Sequence, residues 1–240
     1  MFFIEFETLF YTAGVANEVL VVRTLQVQDA LLCVSDLQES AALNRAIWEA
    51  ALSLLRAECG DAVVDAATLV LAGDLYGESF VDANTGKRVE IRGKSGCVDY
   101  AGLTGMDDPK ATPPAIIVYG NHDLVVPGLV RMPSGATLAH GTHVGWADWI
   151  ESKRFPCFLA DVERALGTKS GCDVLVTHDT PLLDKQTRGS ANLARLVGKY
   201  PPKVHVFGHC HLATPLIEQG ATLFVNCDAR FILLLPEKIK

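Results

Sequence analysis

Residues 115–123 read Ala115-Ile116-Ile117-Val118-Tyr119-Gly120-Asn121-His122-Asp123. A short β-branched run stops at a glycine, and three polar side chains follow at once. That is the pattern of a buried strand ending in a loop that carries chemistry. The pattern recurs on both sides. Ala30–Val34 runs into Ser35-Asp36, and Thr68–Ala72 runs into Gly73-Asp74. Further on, Val174–Thr177 runs into His178, and Val204–Phe207 runs into Gly208-His209-Cys210-His211.

Helical patterns lie between some of these strands. Ser40 is placed to cap a helix whose Leu43, Ile47, Ala50 and Leu54 form an apolar face, with Gly60 as its stop. A second helix is expected over Pro156–Leu166, with Leu159, Val162 and Leu166 inward and Gly167 after it. A third runs from a Ser190 cap towards Tyr200. Thr222–Asn226 and Phe231–Leu235 read as two more strands, expected to pair. Strand–helix alternation implies an α/β core. Open α/β sheets bind ligands beyond the carboxyl ends of their strands, and that is where Asp36, Asp74, Asn121, His178, His209 and His211 fall.

The 240 residues, 49% hydrophobic, suffice for one sizeable core, and a single domain over 1–240 is expected. Residues 1–29 form an N-terminal extension in which Val19-Leu20-Val21-Val22 reads as an added edge strand. Residues 76–114 form a long insertion or flap. Within it, Phe80–Asp82 and Val89–Ile91 flank Asn84-Thr85-Gly86 as a hairpin. The net charge of -7 argues against coating a nucleic-acid backbone. The seven Cys form no CxxC spacing, as befits free thiols in a reducing compartment. The N-terminus has no positive n-region, and no segment approaches a membrane span. A cytoplasmic protein that meets no membrane is expected.

Asp36, Asp74, Asn121, His178, His209 and His211 are all oxygen or imidazole donors at strand exits. Alone, each reads as a turn, cap or satisfied polar residue. Together they make a donor set suited to Mn, Fe, Zn or similar ions. The two-residue spacing of His209 and His211 would put both imidazoles on one side of an extended segment and turn Cys210 away.

In this order the blocks Asp36, Gly73-Asp74, Gly120-Asn121-His122-Asp123, His178 and Gly208-His209-Cys210-His211 resemble the calcineurin-like metallophosphoesterase superfamily. Val176–Pro181, Arg188-Gly189-Ser190, Val204–His211 and Phe224-Val225-Asn226 look closer to its MPPED branch. The resemblance implies a four-layer α/β/β/α sandwich and hydrolysis of a phosphate mono- or diester by a hydroxide that two metals activate. It implies a first metal on Asp36, residue 38, Asp74 and His211, and a second on Asp74, Asn121, His178 and His209. The ions implied are Mn²⁺, or alternatively Fe, Zn, Mg, Ni or Co. His122 would meet the phosphate and assist the leaving group. Two such ions ~3.5–4 Å apart can clamp phosphoryl oxygens and align an in-line attack.

One block departs. The family's first block has His two residues after Asp, and here Gln38 stands there. Its amide oxygen is a neutral, weaker and harder donor, which implies a weaker first site that prefers Mn²⁺ or Mg²⁺ or fills only when substrate arrives. The alternative leaves Gln38 outside the shell with water in its place. Lys87, Arg88, Arg92 and Lys94 are either a solvated face or a basic flap in which Arg88 and Arg92 engage a small phosphorylated substrate. His140, His143 and Trp146–Trp149 either line a pocket or serve the core or surface. Two other functions compete: a non-catalytic scaffold on the same fold, and a nuclease.

Overall fold

The structure, a computed structural model, describes residues 1–39, 41–74, 79–81, 88–90, 115–121, 123, 131–167, 171–183 and 188–237, with backbone alone at 41, 79–81 and 88–90. The first sheet contains β1 (Phe2–Thr12), β2 (Val15–Thr24), β3 (Leu31–Val34), β4 (Thr68–Leu71), β7 (Ile116–Ile117) and β14 (Arg230–Pro236), in the order β1-β2-β14-β3-β4-β7. The second contains β8 (Ala136–Thr137), β9 (His143–Ala147), β10 (Val174–Thr177), β11 (Val204–Phe207), β12 (Leu216–Gln219) and β13 (Thr222–Asn226), in the order β12-β13-β11-β10-β9-β8. The strands that end in the polar blocks run parallel to one another: β3, β4 and β7 in one sheet, and β10 and β11 in the other.

The two sheets face each other. Leu20, Val22, Cys33, Val70, Ile116 and Ile232 from the first meet Val144, Val176, Val206 and Val225 from the second. On its outer face the first sheet turns Val19, Val21, Val34, Leu71 and Leu233 to α1 (Ala41–Cys59) and α2 (Asp61–Asp65). The second turns Leu175, Phe207 and Phe224 to α3 (Phe158–Leu166) and α4 (Ala191–Lys199). The result is the expected α/β/β/α metallophosphoesterase-like sandwich. Every central strand is covered on both faces, so it reads as an unbroken apolar run rather than an alternating one.

Three expectations need correction. The Val19–Val22 run lies in β2, which sits between β1 and β14 and is not an edge; the edge strand is β1. A strand of fully buried residues cannot face solvent along one side, and the β1–β2 hairpin supplies the cover. The Thr222–Asn226 and Phe231–Leu235 runs do not pair. Between them the chain crosses from one sheet to the other, with Ala229 at φ 53° in the turn. In α1 the buried face is Asn44, Ile47, Trp48, Ala51 and Leu55, rotated from the Leu43–Ala50–Leu54 line. Trp48 sets the rotation: its ring packs edge-on against Phe231 at 5.5 Å, and so large an apolar surface dominates burial.

Other expectations hold. Gly60, at φ 84°, follows the end of α1 and donates its N–H to Arg56 O at 2.9 Å. The Ser190 side chain caps α4 by accepting from Leu193 N at 2.9 Å. The flap hairpin forms as β5 (Ser79–Val81) against β6 (Arg88–Glu90), antiparallel and one residue earlier than read. Its Asn84-Thr85-Gly86 turn lies outside the described residues. Among the described residues, no helix is long and apolar enough to cross a membrane.

Candidate metal centre

Five strand ends converge, and glycine lets them approach. A Cβ on Gly73 would lie 2.6 Å from Gly120 N and 2.7 Å from His178 Nδ1. A Cβ on Gly120 would collide with the Asp74 carboxylate, and one on Gly208 with Ser35 Oγ and Asp36 Oδ2. The glycines of the Gly-Asp, Gly-Asn-His-Asp and Gly-His-x-His blocks are therefore contact points between loops.

At this junction Asp74, His178 and His209 each aim one ligand atom into a common space, all within 4.8 Å of one another. His178 shows how the aim is set. Its Nδ1 lies 2.8 Å from Ala72 O, so Nδ1 carries a hydrogen and Nε2 is the nitrogen turned towards the cluster. That Nε2 is buried and 3.1 Å from Asp74 Oδ2, within ion-pair distance. Ligand atoms gathered this closely in one buried space are what a shared cation requires. Among the described residues, Asn121 Oδ1, next in chain to Gly120, is also buried without a hydrogen-bond partner.

Backbone conformation marks the same loops. Asp36, Gln38, Asp74 and His209 all lie in the left-handed region, with φ 55°, 48°, 50° and 67°. Each such non-glycine residue costs on the order of 1 kcal/mol or more, and this kind of strain gathers where geometry serves function. The turn at His209 also overturns the period-two expectation. The segment is not extended, so His209 enters the cluster while His211 stays largely outside with its side chain 59% exposed.

The electrostatics fit a cation. Asp36, Asp74 and Asp123 are buried, and Asp228 is half-buried beside them. Burial pushes Asp123 up to about 6, and Asp74 adds to the rise. Burial and the Asp36 charge do the same for Asp228, also to about 6. Burial alone would lower His178, but the charges of Asp36 and Asp74 outweigh it and hold the imidazole at about 10. Without a metal, this centre stores carboxylate charge that a proton on His178 partly offsets. A divalent ion would neutralise it. The donors present fit such an ion on Asp74, His178, His209 and Asn121.

The remaining candidates are placed as follows. Asp36 lies at the junction: its Oδ2 accepts from His209 N at 2.9 Å and from Ser35 Oγ, and its Oδ1 accepts from Gln38 Nε2 at 3.1 Å. Gln38 is exposed. His211 Nε2 lies 3.1 Å from Arg230 Nη2, and its Nδ1 lies 3.6 Å from Asp228 Oδ1. Arg88 has only its backbone described, in β6, and His122 and Arg92 lie outside the described residues. His140 pairs with Asp29 at 3.0 Å, away from the junction. His143 Nδ1 lies 2.8 Å from Thr137 Oγ1. Trp149 stacks between Tyr119 and Phe155. Cys210 donates its N–H to Thr180 Oγ1 at 3.1 Å.

Sequence reasoning missed three supporting residues. Asp123 ties two ligand loops together through Asp74 N and Gly120 N. Ser35 holds Asp36. Arg230 is buried and bonds to Asn226, Leu212 O and His211. The signal for Asp123 was present, because it closes the Gly-Asn-His-Asp block. Arg230 gave none, since one Arg after a turn reads as solvated.

No protein-family profile matches the chain. Over 65 residues it is 42% identical to the UPF0046 protein T07D4.2 of Caenorhabditis elegans, a match that spans 24% of this chain and 16% of that protein. Among solved structures it is similar to TT1561 of Thermus thermophilus, with a TM-score of 0.51 and 15% identity over 84% of this chain and 90% of that one. That likeness is one of fold. The chain therefore has a metallophosphoesterase-like α/β/β/α sandwich, with a potential metal-binding group at the carboxyl ends of its strands.

Proposed function

We propose that the chain is a metal-dependent hydrolase of phosphate esters, as the ordered motif blocks imply. The observation that carries this reading is the convergence of Asp74, His178 and His209 on one small space, with the His178 ring oriented by Ala72 O. A divalent ion bound there would polarise a phosphoryl oxygen and make water nucleophilic near neutral pH. The chain's own residues do the rest. Asp74 and His178 present their donors from strand ends held rigid by the sheets. Asp123 fixes the Asp74 loop, and Asp36 fixes the His209 loop through its backbone N–H. His122, as the resemblance implies, gives a proton to the departing oxygen, a contribution of ~10²–10⁴ in rate.

The test is turnover of mono- and bis-nitrophenyl phosphate with added Mn²⁺. Turnover should depend on metal and should be lost in Asp74→Ala and His178→Ala. In His122→Ala, kcat should fall by ~10²-fold or more while Mn²⁺ still binds. A folded wild-type chain that neither binds Mn²⁺ nor hydrolyses either ester would overturn the reading.

A further inference from the structure

The first-metal position implied by the motif draws on Asp36, residue 38, Asp74 and His211. In this chain three of those four are committed elsewhere. Asp36 already accepts from Ser35 Oγ, His209 N and Gln38 Nε2. An amide beside a carboxylate oxygen must present its NH₂, so Gln38 turns a donor, not its acceptor oxygen, towards Asp36.

His211 is more decisive. A guanidinium has only donors, so Arg230 Nη2 at 3.1 Å takes the lone pair of His211 Nε2. That leaves the hydrogen on Nδ1, which faces Asp228 Oδ1 at 3.6 Å. Neither ring nitrogen is left to bind an ion. Arg230 cannot easily swing away: its side chain is 3% exposed, and it also bonds to Glu18, to Asn226 Oδ1 at 2.8 Å and to Leu212 O at 2.8 Å. A dication at His211 would also meet this fixed positive charge at short range, where like charges repel strongly.

Resting on the metal-centre reading above, we propose that this chain holds a single metal ion, on Asp74, Asn121, His178 and His209, and that Arg230 closes the first position by engaging His211. Arg230 is thus a positioning residue whose guanidinium engages the His211 nitrogen that the related motif would give to a cation. The two positions share Asp74 and little else, so one can close while the other stays intact.

The test counts Mn²⁺ per chain by elemental analysis after desalting, with electron paramagnetic resonance of the bound ion. One ion per chain is expected, with the spectrum of an isolated Mn²⁺. His211→Ala changes an exposed side chain and is expected to leave both the count and the Kd within about twofold of wild type. The double variant Gln38→His with Arg230→Met is expected to gain a second, spin-coupled ion. Two coupled ions in wild type, or an ion lost from His211→Ala, would overturn the single-ion inference and leave the metal-centre reading standing. A count that stays at one in a folded double variant would overturn the role given to Arg230. No ion in folded wild type would overturn the metal-centre reading itself.

Discussion

Asp123 Oδ2 accepts the backbone N–H of Asp74 at 2.7 Å, and the same oxygen accepts Gly120 N at 2.8 Å. One buried carboxylate oxygen thus ties the loop that carries Asp74 to the loop that carries Asn121. Removing such a support around a metal site typically costs ~10–100-fold in affinity. Asp123→Ala should weaken Mn²⁺ binding by that factor. Asp123→Asn keeps an oxygen for both N–H groups and should weaken it far less. The titration gives a second readout. Asp123 is raised from 3.8 to about 6, so the native state holds this proton more tightly than the unfolded state does. Its contribution to stability is full below pH 3.8 and is lost as pH rises through about 6. In the metal-free protein, Asp123→Asn should remove that decline, seen by denaturant unfolding across this window. Equal Mn²⁺ affinities in the Ala and Asn variants would contradict the bracing role.

His178 predicts how metal binding depends on pH. Its imidazole is held at about 10 by the Asp36 and Asp74 charges, against the opposing effect of burial. In the metal-free protein this stabilisation is present below the ordinary pKa of 6.5 and is lost as pH rises through about 10. The ion needs the Nε2 lone pair, so it must displace that proton. Calorimetry at pH 7 in buffers of different ionisation enthalpy should therefore show about one proton released per Mn²⁺ bound to this group. In His178→Ala the release should vanish together with tight binding. Heats independent of buffer would mean that His178 is not where the ion competes.

The β1–β2 hairpin predicts a stabilising change remote from the centre. Thr12 pairs with Val15, so the loop is Ala13-Gly14, and both residues have positive φ, 49° and 86°. That is a type I′ turn, which favours Asn-Gly. Ala at the first position bears strain that Asn tolerates better. Ala13→Asn should raise stability by roughly 0.5–1 kcal/mol, or about 1–4 °C in Tm. Metal binding should not change. A lower Tm would show that the turn is not the one described.

The strands were legible because each is a β-branched run ending at a glycine or polar residue, and the two-layer cover makes those runs continuous. What could not be read was which sheet each run joins. Thr222–Asn226 and Phe231–Leu235 look alike in sequence, and only the crossing near Ala229 separates them. The place of His178 in the candidate cluster was legible because the chain stays extended up to it. The placement of His211 beside His209 was misread, because the backbone turns left-handed at His209 and alternation is a rule for strands. Arg230 was invisible because its importance comes from partners 4, 18, 19 and 212 residues away.

The motif glycines yield the last prediction. Gly120 is not required by its own backbone conformation, because it is absent from the positive-φ glycines. It is required by space, since a Cβ there would meet the Asp74 carboxylate and would lie 2.7 Å from Asp74 N. Backbone cannot yield as a long side chain can. Gly120→Ala should therefore push Asp74 out of line with His178 and His209 and weaken Mn²⁺ by ~10-fold or more. Gly198, in α4, has open space around it, and Gly198→Ala is the matched control. The control should gain up to about 1 kcal/mol from helix propensity and leave Mn²⁺ affinity unchanged. Circular dichroism should report the same fold in both variants, while titration with Mn²⁺ separates them. If Gly120→Ala binds Mn²⁺ as tightly as wild type, the Asp74 carboxylate is not confined as described, and its convergence with the two imidazoles would lose its main support.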